Sequence, residues 1–499
     1  MNKYILYILL FFITLSSVSC SGWLSVDSED RILEDKLFVD KDGFYTALNG
    51  VYVDLVNVNL YSGKTGPSVP DVLAQFYDTS ADSHIYGSLA KYQLEAKKQA
   101  VADVWTRAYF LILNINKIIW HCDDKKGTVL NGKDYDLIKG ECLGLRALLH
   151  FELLRYFGPV FKSAPGADAI PYITASEPKV NPVLKGNEVA SMILDDLDSA
   201  MALLQKSDPV ISTGKNDTDN GGRNLYNFRN LRLNYFAVKA LAARVNMYLG
   251  KTRAKDYRED ALRLAEEVIR DAGRFFPFST REEVSGQAAV GSANTSAEDR
   301  ILSSDVLFSV YNVKRGADIF ERFFANSLEA KQLLSISAKG YDLIYPEKGD
   351  LRTCQWQRRT DAAGRTFMCF VKYEAMEVAG KHYPYMIPVI RMSEMYLIAA
   401  ECLASAENPD FAEAATFLNV LRRARQTSSV SATQQILSEI ENEYKREFIG
   451  EGQLFWYYKS NWRTAIPVLW DENKGNVQLN ESDYIFEIPQ SEDGFRTQY

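Results

Sequence analysis

Few residues in this chain stand where chemistry would need them, and the clearest is a cysteine. Cys20 follows Lys3, an apolar run over 5–13 and the small residues Ser16, Ser17 and Ser19. A basic start, an apolar middle and small residues at the cleavage point form a secretory signal that is removed from the mature chain. A thiol at that point is a site for acyl attachment, and buried acyl chains tether a protein to a bilayer. Residues 1–19 are therefore expected to be a signal peptide. Cys20 is expected to carry the lipid, with the protein working outside the cytoplasm.

Other arrangements with chemical potential fail on spacing. Two Gly-Lys-Thr triplets occur, at 63–65 and 250–252. A phosphate-cradling loop needs a further glycine upstream, and those positions hold Val58 and Val245. His84, His121, His150 and His382 lie far apart, with no pair four residues apart to hold a metal on one helix face. His150-Phe151-Glu152 resembles the start of a deaminase site but lacks a Pro-Cys-x-x-Cys partner. No Gly-x-Ser-x-Gly elbow presents an acyl-transfer serine. The 65 acidic residues single out no glycosidase pair, and Asp195, Asp196 and Asp198 read as a solvated helix face. Cys122, Cys142, Cys354, Cys369 and Cys402 form no Cys-x-x-Cys and no disulfide framework. No catalytic centre, metal or cofactor is expected.

Composition narrows the partners. The net charge of −8 is dispersed, with no basic stripe for nucleic acid. Beyond the leader, no apolar run approaches the roughly 20 residues that span a bilayer. The 28 Tyr, 26 Phe and 7 Trp supply core, and the tyrosine surplus also suits half-polar binding surfaces.

Helical periodicity dominates. Apolar residues recur at three/four spacing over 103–121, 135–157, 187–204, 231–249, 257–270, 391–404, 411–425 and 433–449. Gly158-Pro159 stops one helix and Gly250 caps another. Tyr257 with Ala261 and Phe411 with Ala415 hold equivalent places in second helices, as Ala242-Ala243 and Ala399-Ala400 do in first helices. An aromatic four residues before an alanine lets paired helices approach, as in tetratricopeptide-type hairpins with an irregular period. Between the helices, 59–94 is rich in Gly, Pro and Ser, 211–229 reads as a loop around Asn220-Gly221-Gly222, and 275–388 is largely non-helical. Strands are expected at 306–313 and 366–373.

Several motifs in fixed order resemble the SusD/RagB family of nutrient-binding outer-membrane lipoproteins of Bacteroidetes. They begin at Trp23-Leu24 and at Gly43-Phe44, Ala47-Leu48 and Gly50-Val51-Tyr52. Trp105, Tyr109, Asn114 and Asn116 follow, then Glu141, Arg146-Ala147 and Arg155-Tyr156-Phe157-Gly158-Pro159. The second half adds Arg391, Glu394, Tyr396-Leu397 and Ala400-Glu401, then Asn419, Arg422 and Ala424-Arg425. Arg446-Glu447-Phe448, Gly450-Glu451-Gly452-Gln453, Tyr458-Lys459 and Ile488-Pro489 complete the series. The charged members sit among apolar helix positions, so they read as ion pairs at helix junctions.

The resemblance implies a mainly α, tetratricopeptide-like helical-hairpin scaffold with a loop-rich, partly β variable region. One domain over 20–499 is expected, its scaffold at about 36–270 and 389–460 and its variable region at about 275–388. It further implies capture of oligosaccharide without catalysis and delivery to a SusC-like TonB-dependent transporter at the cell surface. A peptide ligand on the same fold, or a surface glycosidase on a helical scaffold, are the rival readings. Exposed rings in loops would stack on sugar faces while planar polar groups bond the hydroxyls. The loop stretches offer Tyr77, Asp78, Tyr86, Tyr311, Trp356 and Arg358 as expected ligand contacts, with Phe76, His84, Tyr92, Asn312 and Gln357 beside them. Trp356 is expected at the surface because its neighbours Arg352, Gln355, Gln357, Arg358 and Arg359 are polar.

Overall fold

The computed structural model describes residues 34, 36–219, 224–286, 298–361, 363–378, 380–490 and 492. Cys20, its leader and Asn220-Gly221-Gly222 lie outside them. Helix α1 (Lys41–Leu55) begins at Asp40, whose carboxylate accepts from the Gly43 amide. Helix α2 (Leu94–Asp124) buries Val101, Val104, Ala108, Leu111, Ile112, Ile115 and Ile118, one continuous stripe. Helix α3 (Lys133–Phe157) is buried on nearly every side. It tolerates that because Gly140 and Gly144 leave room: an added Cβ would come within 2.8 Å of Leu204 and Leu233 respectively.

Helix α4 (Gly186–Ser207) packs on α3, and the series continues through α5 (Tyr235–Leu249), α6 (Arg258–Ala272), α7 (Met392–Ala404) and α8 (Phe411–Ala424), each against the one before. Gly250 ends α5 at φ +61°, a conformation glycine adopts without strain. Ala242, Ala243, Ala261, Ala399, Ala400 and Ala415 are all buried, so the alanine spacing does set close hairpins. Helices α9 (Ile436–Glu447) and α10 (Leu454–Ser460) follow. The frame is mainly α and tetratricopeptide-like.

The segment between α6 and α7 carries strands. β1 (Val306–Tyr311) pairs antiparallel with β4 (Met386–Arg391), and β2 (Trp356–Thr360) with β3 (Thr366–Phe370). A small hairpin, β5 (Ala465–Pro467) with β6 (Asn476–Gln478), follows α10. The expected strands exist but stop at Tyr311 and Phe370, and their partners had no alternating pattern to announce them. The cysteines other than Cys20 are unpaired thiols.

The acidic face expected on α4 is corrected in one member. Asp196 is buried and takes both Nε and Nη2 of Arg146 at 2.7 Å. Tyr172 Oη adds a third bond, so this carboxylate locks α3 to α4 rather than facing water.

The motif charges meet in one buried network. Glu447 on α9 receives Arg391 at 2.6 Å, Arg425 at 2.5 Å and Arg352 at 3.0 Å. Arg425 also binds Asp305 at 2.5 Å, and Arg391 reaches Glu451 at 3.0 Å. Glu443 takes Arg352, Arg422 and Arg446, each within 2.7 Å. Burial alone would raise the Glu447 carboxyl, but Arg425, Arg391 and Arg352 overcome it and hold it well below the usual range. Burial likewise opposes Glu443, and its arginines bring it down to about 2.

Glu401 is the exception among these motif carboxyls. It is buried with an amide partner, Asn461 Nδ2 at 2.8 Å. Burial raises it to about 7, against the Asn461 bond and the charge of Arg463 and with help from Glu441.

Two outcomes follow from these groups. Glu447→Gln leaves buried guanidinium charge uncompensated and should cost about 3–5 kcal/mol in denaturant unfolding. For Glu401 the folded state holds its proton more tightly than the unfolded chain. Its contribution is therefore present in acid and is lost as pH rises through about 7. The stability of wild type relative to Glu401→Gln, measured from pH 4 upward, should fall as pH rises to about 7; a flat difference would refute this assignment.

Candidate functional site

The segment 57–92 folds into tight turns and two short helices, Val69–Leu73 and Gly87–Ala90. Asp71 fixes it from below: its buried carboxyl accepts from the Gly450 amide at 2.6 Å and from Tyr77 Oη at 3.3 Å. Burial pushes Asp71 up to about 8, against those two hydrogen bonds, so it keeps its proton at neutral pH. The Gly450-Glu451-Gly452-Gln453 motif acquires a physical reason here. Gly450 and Gly452 have φ of +77° and +67°, and an added Cβ would meet the Phe370 ring at 2.6 Å and the Thr65 and Gly66 carbonyls at 2.8 Å.

Above this floor, the 78–87 loop is pinned across to 331–335 by main-chain bonds. Asp78 N donates to Ser335 O and Ile85 N to Lys331 O, both at 2.9 Å. His84 completes the clasp, its Nε2 facing Leu333 O at 3.3 Å and its Nδ1 accepting from the Tyr86 amide at 3.1 Å. Ser83 and Tyr92 sit in left-handed backbone at φ +57° and +56°, a conformation such residues hold only when surroundings enforce it.

The loop borders an open cleft of about 440 Å³, lined by Tyr86, Ile85, Asn59, Lys64, Gln99, Arg322 and Phe323. Ile85 is 60% exposed. Tyr86 is half-buried, and burial raises its phenol, opposed by a Ser68 hydrogen bond and the Arg322 charge. Arg322 is exposed and forms no ion pair among the described residues. An aromatic face, an aliphatic surface and amide and guanidinium edges thus share one recess. That set can stack on a flat apolar face and bond the polar groups at its rim.

Of the six expected contacts, Tyr86 lies in this cleft and Asp78 on the same loop. The Asp78 carboxylate is occupied in part, accepting from Ser80 N at 2.9 Å and Ser80 Oγ at 2.6 Å. Tyr311, half-buried, joins a separate ledge with Tyr385 and His382, at ring distances of 5.4 and 6.0 Å. Asn312 Nδ2 bonds Ser62 Oγ at 3.0 Å, tying that strand end to the segment that floors the cleft. Arg358 is exposed on β2.

Tyr77 and Trp356 are not surface rings. Tyr77 is 2% exposed, against Phe324 at 5.8 Å. Trp356 is 5% exposed, packed on Phe370 at 4.8 Å and Tyr341 at 6.1 Å. The polar flank of Trp356 misleads because Arg352 and Gln355 are themselves buried. Arg352 serves Glu443 and Glu447, and Gln355 Nε2 donates to Arg300 O at 3.0 Å. Phe76, His84, Tyr92 and Asn312 are buried too.

Sequence reading missed Ile85, Gln99, Arg322 and Phe323. A signal for the last two existed. Gly316–Phe324 is a π-helical turn that buries Ile319, Phe320, Phe323 and Phe324, an amphipathic spacing that turns Arg322 outward. Among the described residues no group of three or more His, Cys, Asp or Glu could hold a metal ion, and no helix is long and apolar enough to cross a membrane.

Tyr77→Ala and Trp356→Ala should each lower stability by about 3–5 kcal/mol, the cost of emptying a packed aromatic site. Arg358→Ala should leave thermal unfolding unchanged. A Trp356→Ala protein as stable as wild type would contradict the packing described.

Comparison with known proteins gives the lineage. The model described as the SusD family matches residues 296–487, and one described as starch-binding associating with outer membrane matches 37–213. No curated protein matches significantly. Among solved structures, a SusD superfamily protein from Bacteroides thetaiotaomicron aligns with a TM-score of 0.69 at 22% identity, over 91% of this chain and 98% of that one. Surface glycan-binding protein A from the same organism gives 0.63 at 15%, over 93% and 98%. A laminarin binding SusD-like protein gives 0.60 at 16%, over 91% and 97%. At these identities the likeness is one of fold, and with both family models it places the chain: it belongs to the SusD/RagB family.

Proposed function

We propose that this protein is a non-catalytic, outer-membrane-associated surface lipoprotein that captures oligosaccharide and passes it to a SusC-like TonB-dependent transporter. One observation carries the reading. The cleft beside the 78–87 loop joins the half-buried Tyr86 ring to the exposed Arg322 and the Gln99 and Asn59 amides. Aromatic faces pack on the carbon faces of sugars, while planar polar groups pair with hydroxyls around the ring edge. The family models and the glycan-binding relatives support a carbohydrate ligand and an outer-membrane setting. Acylation of Cys20 supplies the tether.

Within this reading Tyr86 is the stacking platform and Arg322 the polar clamp. Tyr311 and Arg358 extend the contact surface, Asp78 shapes the loop, and Tyr77 and Trp356 support it from beneath. The expected domain layout, one unit over 20–499, belongs to the same proposal.

Titration of the purified protein against oligosaccharide panels tests it. Tyr86→Ala and Arg322→Ala should each weaken capture by about 1–3 kcal/mol, and the exposed Arg322→Ala should do so without changing the unfolding temperature. New reducing ends on incubation with the bound sugar would overturn the non-catalytic reading. Binding confined to a peptide panel would overturn the carbohydrate one.

A further inference from the structure

Helix α2 has the cleft at one end and the tether at the other. Ala96, Gln99 and Ala100, in its first two turns, line the cleft. In its last turns Lys117 Nζ holds Glu34 Oε2 at 2.6 Å and His121 Nε2 faces Glu34 Oε1 at 3.0 Å. Glu34 is where the described chain begins. Thirteen residues separate it from Cys20. Fully extended they reach at most about 50 Å, and as a coil their ends average roughly 20 Å apart.

The surface at this end is unusual. The His121 ring stacks on Phe38 at 4.0 Å and meets Trp120 edge-on at 4.7 Å. Trp120 is 53% exposed and Val39, next to Phe38, is 63% exposed. Lys36 is exposed beside them. Lys117 and Lys125 complete the rim, their charge offset by Glu34 and by Asp124, which sits 2.7 Å from Lys125. An exposed indole rimmed by snorkelling lysines matches the headgroup–acyl boundary of a bilayer.

We propose that this end of α2 docks on the bilayer surface, with Trp120 and Val39 entering the lipid interface. The inference rests on the acylation of Cys20 put forward above. The tether keeps the patch within reach of the membrane, at an effective concentration that lets a weak contact form. Because Lys117 and Lys125 are each paired, the contact is mainly apolar and depends little on salt. It also sets orientation. α2 spans 31 residues, about 46 Å, so the cleft is held roughly 30 Å from the docked end.

The test uses the mature protein beginning at Cys20, its acylation checked by mass, reconstituted in phosphatidylcholine vesicles carrying brominated acyl chains. Wild-type tryptophan emission should be quenched, most strongly by bromines near the glycerol end of the chains and equally at low and high salt. In a Trp23→Phe background, which removes the indole three residues from the acylated Cys20, Trp120→Phe should lose most of that quenching, and Val39→Asp should act alike. Equal quenching with and without Trp120 in that background would overturn the proposal. So would a Trp120 signal that follows protein concentration on the vesicle, which marks a second copy as the occupant, or one that requires an added transporter. Mature protein without an acyl mass would instead remove the tether reading itself, and this proposal with it.

Discussion

The rest of the structure depends on the charge contacts that converge on Glu447. Arg391 comes from the end of β4, Arg425 from the end of α8, and Arg352 from the turn before β2. Asp305, at the start of β1, closes the circuit through Arg425. Helices and strands far apart in sequence are thereby held by one carboxylate. Taking so many charges out of water is expensive, and such a cluster persists only when each group meets opposite charge and hydrogen bonds together. Its worth lies in register: a guanidinium that must satisfy two carboxylates admits few arrangements of the elements that carry it. Apolar burial would hold the same segments together with less say over their alignment.

That network explains why the motifs of the second half point to a lineage rather than to a ligand. Arg391, Glu394, Arg446, Glu447 and Glu451 all end in buried pairs, Glu394 with Arg244 at 2.6 Å and Glu451 with Lys372. The glycines around Glu451 serve backbone geometry. The residues most recognisable in the chain are thus ones that hold the fold together from within.

The helical frame was legible because its signals are local. Stripes at three/four spacing, an alanine pair at a hairpin contact and a glycine cap each follow from a dozen neighbouring residues. The opposing strands Trp356–Thr360 and Met386–Arg391 were not, since the first is mostly polar and the second runs apolar throughout. The candidate cleft was half legible. Tyr86 was offered from the sequence and lines it, while Tyr77 and Trp356 read as surface rings and are buried. The error has a physical source: a polar stretch implies solvent only when its charges lack internal partners, and Arg352 finds Asp350 nearby and two more, Glu443 and Glu447, at long range. Arg322 was missed because its helix is of the π type and gives a period few readings test.

The clasp between 78–87 and 331–335 runs mainly through peptide groups. Amide and carbonyl bonds are indifferent to which side chains the residues bear. Ile85, 60% exposed, is therefore open to replacement without disturbing the trace of the chain beneath it. Such a surface can be rewritten one codon at a time while the framework stays as inherited, and an engineer has the same freedom.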